Sequence, residues 1–376
     1  MDTVFNEIST LRNGLAISID YNNSNKYCLV SKEPDGSKTA YYFSTPIYNC
    51  KTRKLLNLRF SKNCEAISLL GSNAKILVNN AISMKNSDGS LLINLNSELK
   101  FLTEKELSFK EGVVFPTTNG IAIKTKIRKG ENFSFLVKVN HPFMNIRSNN
   151  KYFSLMSEQF RPFFTVSTIG TLNTNGNLVA PAKISYQRID DKKYKLIVSP
   201  TSPLGAFMLF EINMYDEKLV QDTTVESLNP TENNAFGSTA FIGNTSAFGR
   251  QWLYSRVDYS KISEIMNKHI NKAILHIPSH NKGLYELSAF NISSRFCSFG
   301  SNWDNKIAQA SFVSDTYTHN GYKSIDITSL LTHPQTHTII RSEGLILKPA
   351  VKASGFSAIA TGDSYYTPQI FEINFR

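Results

Sequence analysis

A chain of 376 residues, 41% of them hydrophobic, has room for two or three domains and enough apolar mass to bury their cores, which excludes wholesale disorder. It holds no run of roughly 18 apolar residues, so no helical membrane span is expected. The net charge of +11 is uneven: Val220–Arg376 carries 13 basic and 12 acidic residues, so nearly all of the excess lies before it. A basic half suits nucleic acid, teichoic acid or an anionic membrane surface. Lys51, Arg53 and Lys54 form its tightest cluster, however, and no specific nucleic-acid binding is expected.

Four cysteines, Cys28, Cys50, Cys64 and Cys297, show no Cys-x-x-Cys spacing. One disulfide among the first three is compatible with the count, but free buried thiols are the expected state. The opening Met1-Asp2-Thr3-Val4-Phe5-Asn6-Glu7 lacks a cationic segment followed by an apolar stretch, so no signal peptide is expected.

Aromatic and β-branched runs separated by turn residues predict strands almost throughout. The first set is Leu15–Tyr21, Tyr27–Ser31, Ala40–Phe43, Leu55–Phe60, Ala66–Leu70, Lys75–Val78 and Leu91–Leu95. Asp35-Gly36, Gly71-Ser72-Asn73 and Asp88-Gly89 mark turns between them, the last as a hairpin candidate. Ala16–Tyr21 alternates, which predicts one buried and one wet face. Further strands are predicted over Ile121–Ile127, Phe164–Ile169, Lys183–Ile189, Tyr194–Val198 and Phe207–Met214. Asp190-Asp191-Lys192-Lys193 reads as a charged hairpin tip. Ile262, Ile265, Met266 and His269 fall at helical spacing after Asp258 and Ser260, predicting one short helix over 260–269 that leads into a strand over Lys272–Ile277.

From Asp222 onward the order of features resembles the DNRLRE domain family. Asp222-Thr223-Thr224-Val225 resembles its first strand, and Phe241-Ile242-Gly243 its second. Gln251–Val257 lies where the family carries a strand beginning with an aromatic–leucine pattern. Ala273–Ile277, Asn302-Trp303-Asp304, Ser324–Leu331, Glu343–Lys348, Phe356–Ile359 and Pro368–Ile373 follow in the family's order. Phe375 stands for the usual Tyr and Asp304 for the usual Glu. The resemblance implies a jelly roll similar to the TGF-β propeptide fold, with Trp252 and Trp303 in its packed body, the alternative for each being a sugar-stacking platform. It covers about 220–376; nothing is recognised over the first 100 residues.

The expected architecture is therefore all-β: an N-terminal β module over 1–97, a middle β-sandwich over 98–219 and a C-terminal jelly roll with one short helix over 220–376. Such folds serve as spacers or carry binding loops.

No catalytic constellation stands out. His276 and His280 are four apart but fall in a strand and its following turn, and His333 and His337 flank Pro334 in a loop, so neither pair is expected to bind a metal. Asp363 and Asp304 are the carboxylates to consider for glycan cleavage, the activity suggested by relatives named for disaggregating polysaccharide-embedded cells. Asp326 is expected to cap local backbone N–H groups. Among aromatic side chains, Tyr365-Tyr366 and Tyr41-Tyr42 place one ring on each face of a strand and are the candidates for exposed ligand contacts, although ordinary half-buried strand residues are the first expectation there.

These readings predict a structural or adhesive β protein without catalytic, cofactor or metal residues, on a bacterial surface, a phage or a phage-tail-like particle. Its partners would be other structural proteins of that assembly, with oligomerisation, and cell-wall glycan. The rival expectation is a carbohydrate-binding accessory module or, further off, a polysaccharide-cleaving enzyme.

Overall fold

The computed structural model describes residues 8–47, 67–68, 75–78, 81–85, 91–95, 99–103, 112–117, 120–128, 131–139, 145–158, 162–214, 218–281, 286–350 and 355–376. Strand makes up 53% of it and helix 5%, in several antiparallel sheets, so the all-β sandwich expectation holds. The chain divides into two compact units. One joins Met1–Ser61, Glu217–Ala235 and Thr239–Arg376; the other joins Lys62–Asp216 and Phe236–Ser238.

The first unit is a sandwich of two antiparallel sheets. In one, Cys28–Lys32 pairs with Lys38–Phe43. The turn between them needs Gly36 at φ +83°, a conformation L side chains rarely adopt, and Asp35 Oδ1 accepts from both the N–H and the hydroxyl of Ser37. Lys38–Phe43 then pairs with Ile370–Phe375, which pairs with Ile270–Pro278 and, through it, with Tyr322–Asp326 and Tyr317–His319. The second sheet runs Gln309–Asp315, Leu287–Ile292, Leu345–Pro349, Gly249–Val257, Thr239–Thr245 and Phe356–Ala360, with Val220–Glu226 paired along Gly249–Val257. Alternation sends Val30, Ala40, Tyr42, Leu275 and Phe371 from the first sheet against Ile242, Leu253, Leu347 and Ile359 from the second. Each such buried Val, Leu, Ile or Phe side chain contributes about 1.5–3 kcal/mol.

The second unit has the same logic. Phe133–Val139 alternates buried and half-buried side chains, and Phe133, Phe135, Val137 and Val139 all enter the core with Phe153, Tyr194, Leu196 and Phe210. Phe135 and Phe210 stack with ring centroids 5.6 Å apart. The charged tip at 190–193 joins Ala182–Asp190 to Lys193–Pro200, as expected.

Three consecutive domains are not what the chain forms. Lys38–Phe43, placed by sequence in an N-terminal module, is a sheet neighbour of the C-terminal strand Ile370–Phe375. The expected break at 97/98 falls inside the hairpin of Leu91–Leu95 and Leu99–Thr103, and the latter strand pairs with Phe133–Val139. Pairing between strands far apart in sequence leaves no compositional trace at a boundary.

Two elements differ locally. Leu15–Tyr21 is not a strand beyond a single bridge from Ile19 to Ser31; instead Ile17 and Ile19 pack onto the outer face of the first sheet. The helix is a 3-10 helix over Tyr259–Ile265, capped by Asp258, with a break at Ile262 (φ −123°, ψ 24°). Ile262 and Ile265 are buried as their spacing predicts. The turns Gly71-Ser72-Asn73 and Asp88-Gly89 and the run Leu55–Phe60 lie outside the described residues.

Candidate functional site: an aromatic and cationic sheet face

On Gly249–Val257, Leu253 and Val257 enter the core of the first unit, while Trp252 and Tyr254 join a separate cluster on the opposite face. The period of two places Arg250 and Arg256 on that same outer face. Leu345 and Leu347 likewise turn inward and leave Ile346 and Lys348 outside; Leu287 and Ala289 turn inward and leave Phe290 outside. The segment 293–308 crosses this face and adds Phe296, Trp303 and Ile307. Tyr254 Oη holds it by donating to the Ile307 carbonyl at 2.6 Å, and Asn233 Nδ2 donates to the carbonyls of Ser298 and Ser301, each at 2.7 Å. Burial pushes the Tyr254 phenol above its ordinary range.

The result is a half-open ledge. Trp252 and Trp303 are both half-buried, their ring centroids 4.8 Å apart and tilted by 43°. Phe290 lies beside them and meets Phe312 edge-on at 5.8 Å; Phe312 is 57% exposed. Cations sit over these rings. Lys348 Nζ is 3.8 Å from the Trp252 centroid, Lys306 Nζ 4.8 Å from that of Trp303, and the Arg250 guanidinium carbon 5.4 Å from Trp303. Lys348 donates to Gln309 Oε1 at 2.6 Å and Lys306 to the Trp303 carbonyl at 2.9 Å. Burial, and then repulsion from Lys306, pulls the Lys348 ammonium below its ordinary range. The ledge thus brings aromatic rings and positive charge together on one surface.

Charged groups of a different kind are buried inside the same unit. Lys218 forms an ion pair with Asp363, and the buried Asp222 carboxylate accepts the N–H of Gly362. Burial pushes the Asp222 carboxyl up to about 7, opposed by the Gly362 N–H and the charge of Lys218. Asp363, a cleavage candidate from sequence, is thus engaged within the fold. Asp304 lies exposed on the 293–308 segment, where its N–H donates to Pro230 and Asn302.

The tyrosines singled out by sequence are placed differently from expectation. Tyr41, Tyr42 and Tyr365 are buried, and Tyr366 is half-buried. Tyr41 and Tyr42 do point to opposite faces, but both faces of their sheet are covered. Tyr42 is in the core and donates to Glu264 Oε1 at 2.8 Å, while Tyr41 lies under Ile8, Leu11 and Ile47. Trp303, expected in the packed body, is half-buried on the ledge instead, because the segment carrying it covers only part of the outer face.

The side chains within each histidine pair have different partners, while the His337 N–H donates to the His333 carbonyl at 2.9 Å. His276 Nδ1 pairs with Ser324 Oγ at 2.8 Å and its Nε2 with Glu372 Oε2 at 2.9 Å. His280 faces Thr367 Oγ1 at 3.5 Å, and burial pulls its imidazole down to about 4. His333 Nδ1 accepts from the N–H groups of Gln335 and Thr336, and the His337 ring packs on His269. Asp326 Oδ1 accepts the Thr328 N–H at 2.9 Å, the local cap expected of it. Among the described residues, no three His, Cys, Asp or Glu are grouped to hold a metal ion, Cys28 is a buried free thiol and Cys297 an exposed one.

No family model matches the chain, and neither does any curated protein. Among solved structures, the chain is similar to heparan sulfate lyase HepC from Pedobacter heparinus at 8% identity and a TM-score of 0.23, over 68% of this chain and 46% of that one. A heparinase III gene product gives 8% identity and a TM-score of 0.21 over the same shares. The chain spans less than half the length of these structures, and likeness at this level carries no argument about activity.

Proposed function

We propose that this chain is a non-catalytic adhesive β protein of a cell or particle surface, and that the Trp252–Trp303 ledge is where it grips polysaccharide. The observation that carries the reading is the pair of half-open indole rings on a sheet face whose other side is a packed core. An indole face receives the apolar C–H face of a pyranose ring, and half-burial fixes the ring without ordering cost on binding. The ion pair of Asp363 with Lys218 inside the fold supports a structural role for one of the two carboxylates considered for cleavage chemistry. The order of DNRLRE-like motifs along 220–376 supports a spacer or binding role for this part of the chain.

Affinity electrophoresis of the full chain through gels carrying soluble cell-wall polysaccharides tests this. The wild type is expected to be retarded and Trp303→Ala to run freely, with the polymer recovered at unchanged length. Shortened polymer would replace the adhesive reading with the enzymatic one, and retardation that survives Trp303→Ala would move the site elsewhere.

A further inference from the structure

The ledge carries more positive charge than a neutral sugar has use for. Lys348, Lys306 and Arg250 all lie within 5.4 Å of an indole centroid. Among the described residues, no carboxylate forms an ion pair with any of the three. Their polar partners are a side-chain amide, Gln309 for Lys348, and a backbone carbonyl, Trp303 for Lys306. Lys306 sits close enough to Lys348 to disfavour the charge of its ammonium group. Two ammonium groups crowded without a counter-ion gain from an anion between them, and the rings beneath are held ready for a sugar.

We propose that the ligand of this ledge is an acidic polysaccharide, one whose sugar rings carry carboxylate or sulfate groups. The inference rests on the polysaccharide-binding reading above and narrows it. On binding, the lysine ammonium groups leave the indole faces for the anionic substituents, and the sugar C–H face takes their place over Trp252 and Trp303. A neutral sugar would have to displace the same cations from the rings and give them nothing in return. Single-stranded nucleic acid also combines rings with charge, but it asks for a basic groove along the backbone and open faces for successive bases. Here the two indoles pack against each other at 43°, and Val220–Arg376 is almost balanced at 13 basic and 12 acidic residues.

Two matched pairs of polymers make the test: dextran sulfate against dextran, and polygalacturonate against its carboxyl-reduced form. Binding of the full chain is measured by titration of tryptophan fluorescence at fixed ionic strength, with polyadenylate as a further arm. At least one acidic member is expected to bind ten times or more tightly than its neutral counterpart, and more tightly than polyadenylate. The double variant Lys306→Gln, Lys348→Gln should lose tenfold or more on that acidic member, with an unchanged melting temperature, while Lys306→Arg, Lys348→Arg retains the binding. Equal binding of acidic and neutral members, or an unaffected glutamine variant, overturns the acidic preference and leaves the polysaccharide site standing. Binding to polyadenylate alone assigns the ledge to nucleic acid and overturns both. No binding to any polymer overturns the polysaccharide site itself.

Discussion

The two sheets of the first unit are built from the same kinds of residue, yet the outward aromatic rings of one are buried and part of the other's outer face stays half open. In the sheet of Lys38–Phe43, the outward Tyr41 and Phe43 are covered by the N-terminal segment through Ile8, Leu11 and Ile47. Arg12 fixes that segment: its guanidinium donates to both oxygens of Glu33, at 2.7 and 2.9 Å, and to Tyr41 Oη at 3.3 Å. The bidentate pair holds the Glu33 carboxyl below its ordinary range. In the sheet of Gly249–Val257, the outward Tyr254 is buried beneath the 293–308 segment, whereas Trp252, beside Trp303 and under Lys348, stays half open. Aromatic side chains on an outer face thus become core or contact surface according to what crosses them. The same covering decides how much stability and how much binding each ring supplies.

The largest expected effect lies on the sealed side. Tyr42→Ala removes a fully buried ring and leaves Glu264 without its phenolic donor. It should cost about 3–5 kcal/mol in urea unfolding, as buried aromatic truncations do. A cost below about 1 kcal/mol would show that the face is not sealed.

The next effect concerns charge inside the same sandwich. Asp222 in the folded chain titrates above its unfolded value of 3.8, near 7, because it is buried. Its contribution to stability is therefore fully present below pH 4 and is lost as pH rises through about 7. Asp222→Asn has no such loss, so its advantage over the wild type should widen between pH 5 and pH 8 when unfolding midpoints are compared. A constant difference across that range would show that the carboxylate stays solvated. His280 works in the opposite sense: burial holds its folded pKa near 4, so its contribution is present above pH 6.5 and is lost as pH falls towards 4.

On the open side, Trp303→Ala should cost only about 1–2 kcal/mol, in keeping with partial burial. Its emission should respond to an external quencher once Trp252 is replaced by Phe. A quencher-resistant Trp303 would erase the contrast between the two sheets. The smallest effect is expected from Asp326→Ala, which removes one local acceptor for the Thr328 N–H and should cost about 0.5–1 kcal/mol. It should leave polysaccharide binding untouched.

What the sequence determined by itself is local. Alternation in Ile121–Ile127 predicts a shared face for Ile121, Ile123 and Ile127, and all three meet the core, because a strand repeats every two residues wherever it lies in a sheet. Turn chemistry at Asp35-Gly36 and the cap at Asp258 follow from backbone geometry within a few residues. Ile262 and Ile265 were legible as buried although their helix proved shorter and of 3-10 form. Of the candidate site little was legible: Trp252 and Trp303 were expected in the packed body and are half-buried, and Tyr41, Tyr42 and Tyr365, the candidates for exposed contacts, are buried. Only the tertiary structure decided that Lys38–Phe43 lies beside Ile370–Phe375, that Trp303 meets Trp252, and that Lys306 and Lys348 gather over them. Which strands become neighbours is set by the summed burial of whole faces rather than by any short stretch of chain. A pattern that says a ring points outward cannot say whether another segment will cross it.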